Sequence, residues 1–236
     1  MLPPAAEWSL TMHHHLMRAP KSLRELLERR SGQVQQGIAW PRDRWDHAFP
    51  AQSVFSALPP TLDRERVRRA CAKAGASEDA ATDGFLATMA WGYGNVGYGA
   101  WRVAQAFKDR DPGRKLLDVV VALRSAGPQA AYRLMAGPSR LHRIGPAFGT
   151  KFLYFADSRR HNRRALILDR LVAEWLRLNT TFRVNPVPWA PSRYDAYLDQ
   201  MHEWAVDLEV EPDAVELAIF QEMSESGGSQ WAPTRK

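Results

Sequence analysis

The chain has 236 residues, 45% of them apolar, which is enough to bury a core in one large domain or two small ones. Its formal net charge of +6 permits a polyanionic partner but equally fits a mildly cationic surface. The single cysteine, Cys71, excludes an internal disulfide and any four-cysteine zinc or iron–sulfur site. The sequence contains no apolar run of membrane-span length and no signal-peptide core, so we expect a cytoplasmic protein.

The first 75 residues are the least regular part of the sequence and are rich in proline and tryptophan. They predict a short helix at residues 23–30 and a charged helix at residues 62–74. Ser77 is placed to cap the next helix, which is expected to run to about Trp91 before a glycine-rich turn. The histidine triplet at residues 13–15 favours a mobile surface stretch over a metal site, and no metal or cofactor is expected.

The remainder of the chain also predicts helices. Residues 114–124 have the β-branched content of a strand, but the length of the run and its flanking glycines favour a helix. Pro128 and Pro138 are placed to start two further helices, because proline's missing N–H costs nothing in a first turn. Asp169 can cap the following helix, and an extended linker is expected at residues 185–191.

Two closing helices are expected at residues 192–208 and 212–223. The prediction is therefore an all-α fold of about ten helices with short connections. We divide it into an N-terminal helical and irregular segment (1–75), a core (76–224) and a flexible tail (225–236).

Residues 141–169 (LHRIGPAFGTKFLYFADSRRHNRRALILD) carry the strongest chemical signal. A short turn at residues 145–149 is expected between a helix that ends near Arg143 and one that begins near Thr150. Such a turn leaves backbone N–H groups unpaired at the start of the second helix, where the helix dipole also favours an anion such as phosphate. An ordinary connection between two helices is the alternative.

The segment IGPAFGTKFLYFA resembles the helix-hairpin-helix of the DNA glycosylase superfamily, and most closely that of the 8-oxoguanine DNA glycosylase branch. That branch has the pattern Leu-Pro-Gly-Val-Gly-Thr-Lys, then an apolar helix, then a Val-Asp step that opens another helix. Lys151 falls on the lysine of this pattern and Asp169 on its aspartate. Ala147 departs from the pattern, which has a second glycine there.

The resemblance implies roles for these residues. Lys151 would be the nucleophile and Asp169 the essential carboxylate, while the DNA backbone would be bound by Gly145, Ala147, Gly149 and Thr150. The chemistry is consistent, because a neutral lysine can attack the anomeric carbon of a nucleotide and form a Schiff base. A carboxylate can accept the proton of the attacking amine and stabilise the charge on the sugar. As alternatives, Lys151 contacts a phosphate and Asp169 serves only as a helix N-cap.

The resemblance also implies residues that would handle the target base, which such enzymes flip out of the duplex. Asn95, with Tyr93 beside it, lies in a turn similar to the one that fills the gap in the duplex. Glu216 and Phe220 lie one helical turn apart and match a glutamine and a phenylalanine that contact the flipped purine. Phe155 stands where the purine-specific members have a cysteine. Packing in the core is the alternative for these residues.

The sequence is therefore interpreted as an all-helical DNA glycosylase with AP-lyase activity. Its partner would be double-stranded DNA with a damaged or modified purine, 8-oxoguanine by default. The protein is expected to act as a monomer associated with the nucleoid and to have no membrane contact. A catalytically idle helix-hairpin-helix protein that only binds DNA is the alternative function, and a helical regulatory protein that touches no nucleic acid is a third.

Overall fold

The computed structural model describes residues 18–30, 32–33, 35–158 and 163–226. Over these residues the chain forms twelve α-helices and one small antiparallel sheet, which confirms the predicted all-α fold. The sheet pairs β1 (Ile38–Ala39) with β2 (Thr61–Leu62). The helices are α1 (Lys21–Arg30), α2 (Arg42–Ala48), α3 (Val54–Ala57), α4 (Arg64–Cys71), α5 (Glu78–Tyr93), α6 (Gly99–Ala106), α7 (Pro112–Ala126), α8 (Pro128–Ala136), α9 (Pro146–Ala156), α10 (Arg170–Asn179), α11 (Pro191–Asp207) and α12 (Pro212–Ser226).

Two predictions at the ends of the chain are affected by these bounds. The histidine triplet at residues 13–15 lies outside the described residues. The last helix extends to Ser226, so it takes up the first two residues of the predicted tail, and the rest of that tail is outside the described residues. Within the described part of the chain, no helix is long and apolar enough to cross a membrane.

Side-chain caps and a proline begin three of the helices where the sequence predicts them, namely α5, α8 and α10. The Ser77 hydroxyl accepts a hydrogen bond from the Ala80 N–H at the start of α5, and Pro128 occupies the first turn of α8. Residues 114–124 are helical and belong to α7. The predicted helix start at Pro138 is wrong. The Ser139 N–H bonds back to the Leu134 carbonyl and closes α8, so the proline lies in the turn that ends that helix.

Helix α5 forms the centre of the molecule. It packs against α4, α7 and α9, and most of its side chains are buried, which explains why it is apolar on all sides rather than along one stripe. Gly84 permits the close approach of α4, since a Cβ at this position would lie 3.3 Å from the Cα of Cys71. Burial raises the pKa of the Cys71 thiol to about 12, so this residue is an inert part of the core.

A second group of helices is built from α10, α11 and α12, with α1 packed on α12. The chain enters this group through an extended, buried segment at residues 165–168. The segment around α2 and α3 is part of the same core, because Trp45 and Phe55 are fully buried and their rings contact each other. The junction between the α5–α9 group and the α10–α12 group is where the candidate site lies.

Candidate active site

Lys151 projects from α9, whose start differs from the prediction. The helix begins at Pro146 with Gly145 as its N-cap, so the expected start near Thr150 is wrong. The preceding helix also ends earlier than expected, at Ala136 instead of near Arg143, and residues 137–145 form the connection. Proline at the first helical position explains the early start, because its fixed φ suits the helix and it has no N–H to leave unpaired.

Asp169 caps α10, as the sequence predicts. Its Oδ1 accepts hydrogen bonds from the backbone N–H groups of Leu171 and Val172, at 3.1 and 3.2 Å. The extended segment before it is held by hydroxyl groups from α11. Tyr194 donates to the Leu166 carbonyl at 3.0 Å, and Tyr197 donates to the Ile167 carbonyl at 2.7 Å.

Thr150 connects the two sides of the site. Its hydroxyl accepts a hydrogen bond from the Leu168 N–H at 3.1 Å and lies 3.3 Å from the Leu168 carbonyl. These contacts join the first turns of α9 to the residue that precedes Asp169. The positions of Lys151 and Asp169 are therefore fixed relative to each other by backbone neighbours as well as by their own side chains.

Lys151 and Asp169 form a buried ion pair. The Lys151 Nζ lies 2.9 Å from the Asp169 Oδ2, and the two side chains are 10% and 12% exposed. Burial opposes ionisation of the carboxyl group, but the Lys151 ammonium and the two backbone N–H donors outweigh it and lower the pKa of Asp169. The sequence predicts these two residues as partners, and the structure brings them into contact.

The pair opens onto a cavity of about 370 Å³, which lies in the size range of small-molecule pockets. Aromatic and aliphatic side chains form most of its wall. The cavity is lined by Ile38, Trp91, Gly92, Tyr93, Gly94, Asn95, Val96, Ala147, Phe148, Lys151, Asp169, Arg170, Leu171 and Phe220. No group of three or more His, Cys, Asp or Glu side chains that would suit a metal ion occurs in the part of the chain that the structure describes.

Two stacked rings form one wall of the cavity. Tyr93 from α5 and Phe148 from α9 lie 4.2 Å apart between ring centroids, with 20° between their planes. The Lys151 Nζ lies 5.8 Å from the centroid of Phe148. Gly92 permits this packing, because a Cβ there would lie 3.1 Å from the Phe148 ring and 3.3 Å from the Lys151 side chain. The glycine in the last turn of α5 therefore lets an aromatic wall form directly beside the lysine.

The residues predicted to handle a base divide into two groups. Tyr93, Asn95 and Phe220 line the cavity, whereas Phe155 and Glu216 do not. Phe155 lies one layer behind the wall and packs edge-on against Trp91, with ring centroids 5.0 Å apart. The predicted contact of Glu216 with a base edge is wrong for this structure. Its side chain is 0% exposed, and both of its oxygens accept hydrogen bonds from Arg64.

The residues predicted to bind a DNA backbone also divide. Gly145 and Ala147 lie at the start of α9, with open space around Gly145 and with Ala147 at the cavity wall. Gly149 and Thr150 are buried, which corrects the expectation that all four face a phosphate. A Cβ at Gly149 would overlap the ring of Trp189, so this glycine makes room for the 185–191 linker rather than for a ligand.

Sequence reasoning missed several residues of the cavity, among them Trp91, Phe148 and Arg170. Trp91 and Phe148 had a visible signal, because each lies next to a glycine within a motif that the sequence already singles out. Arg170 directly follows Asp169 and is the cationic side chain nearest in sequence to the proposed carboxylate. The contact of Glu216 with Arg64 had no such signal, since the two residues are 152 positions apart.

In this all-α protein, a lysine and a helix-capping aspartate meet at an aromatic cavity. An amine, a carboxylate and an aromatic surface are groups that the excision of a base uses. A family model described as "Putative 8-oxoguanine DNA glycosylase OGG-like protein" matches residues 31–220. The chain belongs to this OGG-like family and is therefore a DNA-glycosylase-like protein. Neither a curated protein nor a solved structure matches the chain.

Proposed function

We propose that the protein is a bifunctional DNA N-glycosylase and AP lyase that removes an oxidised or modified purine, 8-oxoguanine by default, through a Schiff base on Lys151. The observation that carries the proposal is the contact of the Lys151 Nζ with the Asp169 Oδ2, 2.9 Å apart, at the wall of an aromatic cavity. A nucleophilic amine, a proton acceptor and a surface on which a base stacks are thereby combined in one site.

The first step is the displacement of the base. The ammonium of Lys151 passes a proton to Asp169, which is ionised in the unbound protein and can accept it. The neutral amine then forms a bond to C1′ of the nucleotide while the C1′–N9 bond breaks. The purine leaves with the bonding electrons and takes up the proton that Asp169 accepted. The regenerated carboxylate then stabilises the positive charge of the sugar–amine adduct.

The lyase step follows from the same bond. The bound amine is an ammonium after the attack and first loses one proton to the Asp169 carboxylate. Its lone pair then forms the C1′=Nζ double bond while the C1′–O4′ bond breaks and O4′ takes up a proton, which opens the sugar ring and gives a protonated Schiff base. Loss of a proton from C2′ then expels the 3′ phosphate with the electrons of the C3′–O3′ bond. The strand is cut on the 3′ side, and water releases Lys151.

Two surface features support DNA as the partner. Gly145 and Ala147 present the start of α9, where backbone N–H groups favour a phosphate, and Arg170 adds a positive charge at the cavity. Away from the residues that line the cavity, Trp101 is 56% exposed, and the guanidinium of Arg143 lies 5.5 Å from the centroid of its ring. An exposed aromatic ring beside arginine is a surface on which nucleic-acid bases stack.

The proposal is tested by trapping with borohydride, which reduces a Schiff base to a stable amine. Wild-type protein is expected to become covalently attached to duplex DNA that contains the lesion or an abasic site, whereas Lys151→Gln forms no adduct but still binds the duplex. Lys73→Gln is the matched control, because Lys73 is exposed in the turn after α4 and should leave trapping unchanged.

A panel of duplexes, each with one modified purine, identifies the base that is excised in a Lys151-dependent way. If the wild-type protein binds these duplexes but no adduct forms on any of them, the enzyme proposal is refuted in favour of a protein that only binds DNA. Adduct formation that survives Lys151→Gln would assign the nucleophile to another amine.

A further inference from the structure

Behind the cavity wall lies a second buried ion pair that the proposed chemistry does not use. The guanidinium of Arg64, at the start of α4, forms a two-pronged contact with the carboxylate of Glu216 in α12. The Nη1–Oε2 distance is 2.6 Å and the Nη2–Oε1 distance is 3.1 Å. The third donor, Nε, contacts the Gln35 Oε1 at 3.0 Å. The Arg64 and Glu216 side chains are 9% and 0% exposed, so water contributes almost nothing to their solvation.

This second pair is in contact with the cavity wall. The Arg64 guanidinium lies 5.9 Å from the centroid of Trp91, which lines the cavity, and 5.0 Å from the centroid of Tyr154. Trp91 is thus placed between the open cavity on one side and a fixed planar cation on the other. An arginine in this position restrains the ring through a cation–π contact, and it does so without lining the cavity itself.

The second pair is also close enough to the first to affect it electrostatically. Burial raises the pKa of Glu216, and the contact with Arg64 works against that rise. The charges of Asp169 and Lys151 have smaller effects on Glu216, the former opposing its ionisation and the latter favouring it. The titratable and charged side chains that meet at this junction are Arg64 and Arg68 of α4, Tyr93 of α5, Lys151 and Tyr154 of α9, Asp169 and Arg170 at the start of α10, Tyr197 of α11, and Asp213 and Glu216 of α12.

Stability alone does not account for such a pair. Apolar residues of similar volume stabilise a core as well as or better than a buried ion pair, because desolvation of two charges offsets their attraction. Removing only one partner, by contrast, leaves an uncompensated charge in a medium where charges act over several ångströms. The electrostatic effect of this pair on neighbouring groups therefore depends on whether the charges of Arg64 and Glu216 cancel.

We propose that Arg64 is a positioning residue for the reaction at Lys151. Together with Glu216 it forms a charge-balanced unit that fixes Trp91 as a wall of the cavity and keeps the net charge behind the Lys151–Asp169 pair at zero. The reactivity of the Lys151 amine then depends on this balance. The importance of that reactivity for base excision rests on the proposed function, but the charge effect itself does not.

The test uses the full chain without DNA. Acetic anhydride, a small reagent that acylates only unprotonated amines, is applied over a range of pH, and modification of Lys151 is measured by peptide mass spectrometry. Glu216→Gln leaves the permanent positive charge of Arg64 unbalanced and is expected to lower the pH midpoint of Lys151 acylation by about one unit. Arg64→Met leaves the negative charge of Glu216 unbalanced and is expected to raise the pH midpoint of Lys151 acylation.

Two further variants complete the design. The Arg64→Met/Glu216→Gln double variant has neither charge and is expected to return the midpoint to the wild-type value, and Arg64→Lys keeps the charge and is expected to leave the midpoint in place. Acylation of Lys73 in the same digests is the internal reference. If only one of the two single variants folds, that variant is sufficient to test the sign of the shift in the acylation midpoint.

Several results would overturn the inference. Unshifted midpoints in folded single variants would do so, as would shifts of the same sign in both. If both single variants fail to fold while the double variant folds, the pair has a structural role only, and the inference is again overturned. Borohydride trapping is scored separately, so an absence of adducts in the wild-type protein counts against the proposed function and not against the charge balance.

Discussion

Asp169 performs two tasks with two different oxygens, and substitutions can separate them. Oδ1 caps α10, whereas Oδ2 pairs with Lys151. Asparagine keeps an oxygen that can cap the helix about as well as aspartate does, but it has no charge. Alanine has neither. We therefore expect Asp169→Asn to isolate the loss of the ion pair, and the difference between Asp169→Ala and Asp169→Asn to isolate the loss of the cap.

The expected magnitudes follow from these contacts. Loss of a hydrogen bond to a charged group lowers the free energy of unfolding by about 1.5–3 kcal/mol, which is the expected effect of Asp169→Asn at pH 7. Asp169→Ala should cost about 1 kcal/mol more, the usual value of an N-cap. In the proposed mechanism Asp169 accepts the proton of the attacking amine, so both variants should form the borohydride-trapped adduct roughly 10²–10⁴-fold more slowly.

The pH dependence gives an independent check on the ion pair. The pKa of Asp169 is lowered in the folded protein, so its contribution to stability is present above the unfolded pKa and is lost as the pH falls through the folded pKa. Denaturant titrations should therefore show the gap between wild type and Asp169→Asn narrowing below about pH 4. Ser77→Ala is the control, because it removes a similar cap from α5 without touching the cavity. A gap that stays constant down to pH 2 would refute the assignment of the lost stability to the ion pair.

Two further substitutions test the cavity wall and its support. The Tyr93 hydroxyl is buried and has no hydrogen-bond partner among the described residues. Tyr93→Phe should therefore preserve the stack on Phe148 and raise the free energy of unfolding by up to about 1 kcal/mol. Tyr93→Ala removes the ring and should lower the free energy of unfolding by about 3–5 kcal/mol. Thermal unfolding followed by circular dichroism measures both, and a Tyr93→Phe variant as unstable as Tyr93→Ala would contradict the absence of a partner. Gly149→Ala should cost about 1–3 kcal/mol because the added Cβ overlaps Trp189, and Trp189→Leu in the same chain should recover part of that loss in the same measurement. Equal stability of the single and double variants would show that the overlap is relieved elsewhere.

Local chemistry made much of the fold predictable from the sequence. Ser77 and Asp169 are N-caps because a short polar side chain there satisfies a free N–H, and the same reasoning holds for Pro128 in a first turn. The partnership of Lys151 and Asp169 was also predictable, since the interval between them matches a known motif. Their catalytic roles stay predictions until an adduct is trapped.

Other features depend on tertiary contacts that no local pattern contains. Pro138 has the same helix-starting chemistry as Pro128, but the backbone bond from Ser139 to Leu134 closes α8 around it. Glu216 carries a side chain suited to a base edge, yet an arginine far away in the sequence occupies it. Gly149 resembles a phosphate-binding glycine, whereas its role is set by a tryptophan in a linker 40 residues later. In each case the residue type indicates which interactions the side chain can make, but the fold decides which neighbour it contacts.

The hydroxyl groups of Tyr194 and Tyr197 extend the site beyond the residues that line the cavity. They hold the backbone that leads to Asp169, although α11 contributes no side chain to the cavity. The position of the Asp169 carboxylate therefore depends on a helix that a comparison of cavity residues alone would ignore. A substitution in α11 that displaces this backbone moves Asp169 relative to Lys151 while every cavity residue stays unchanged.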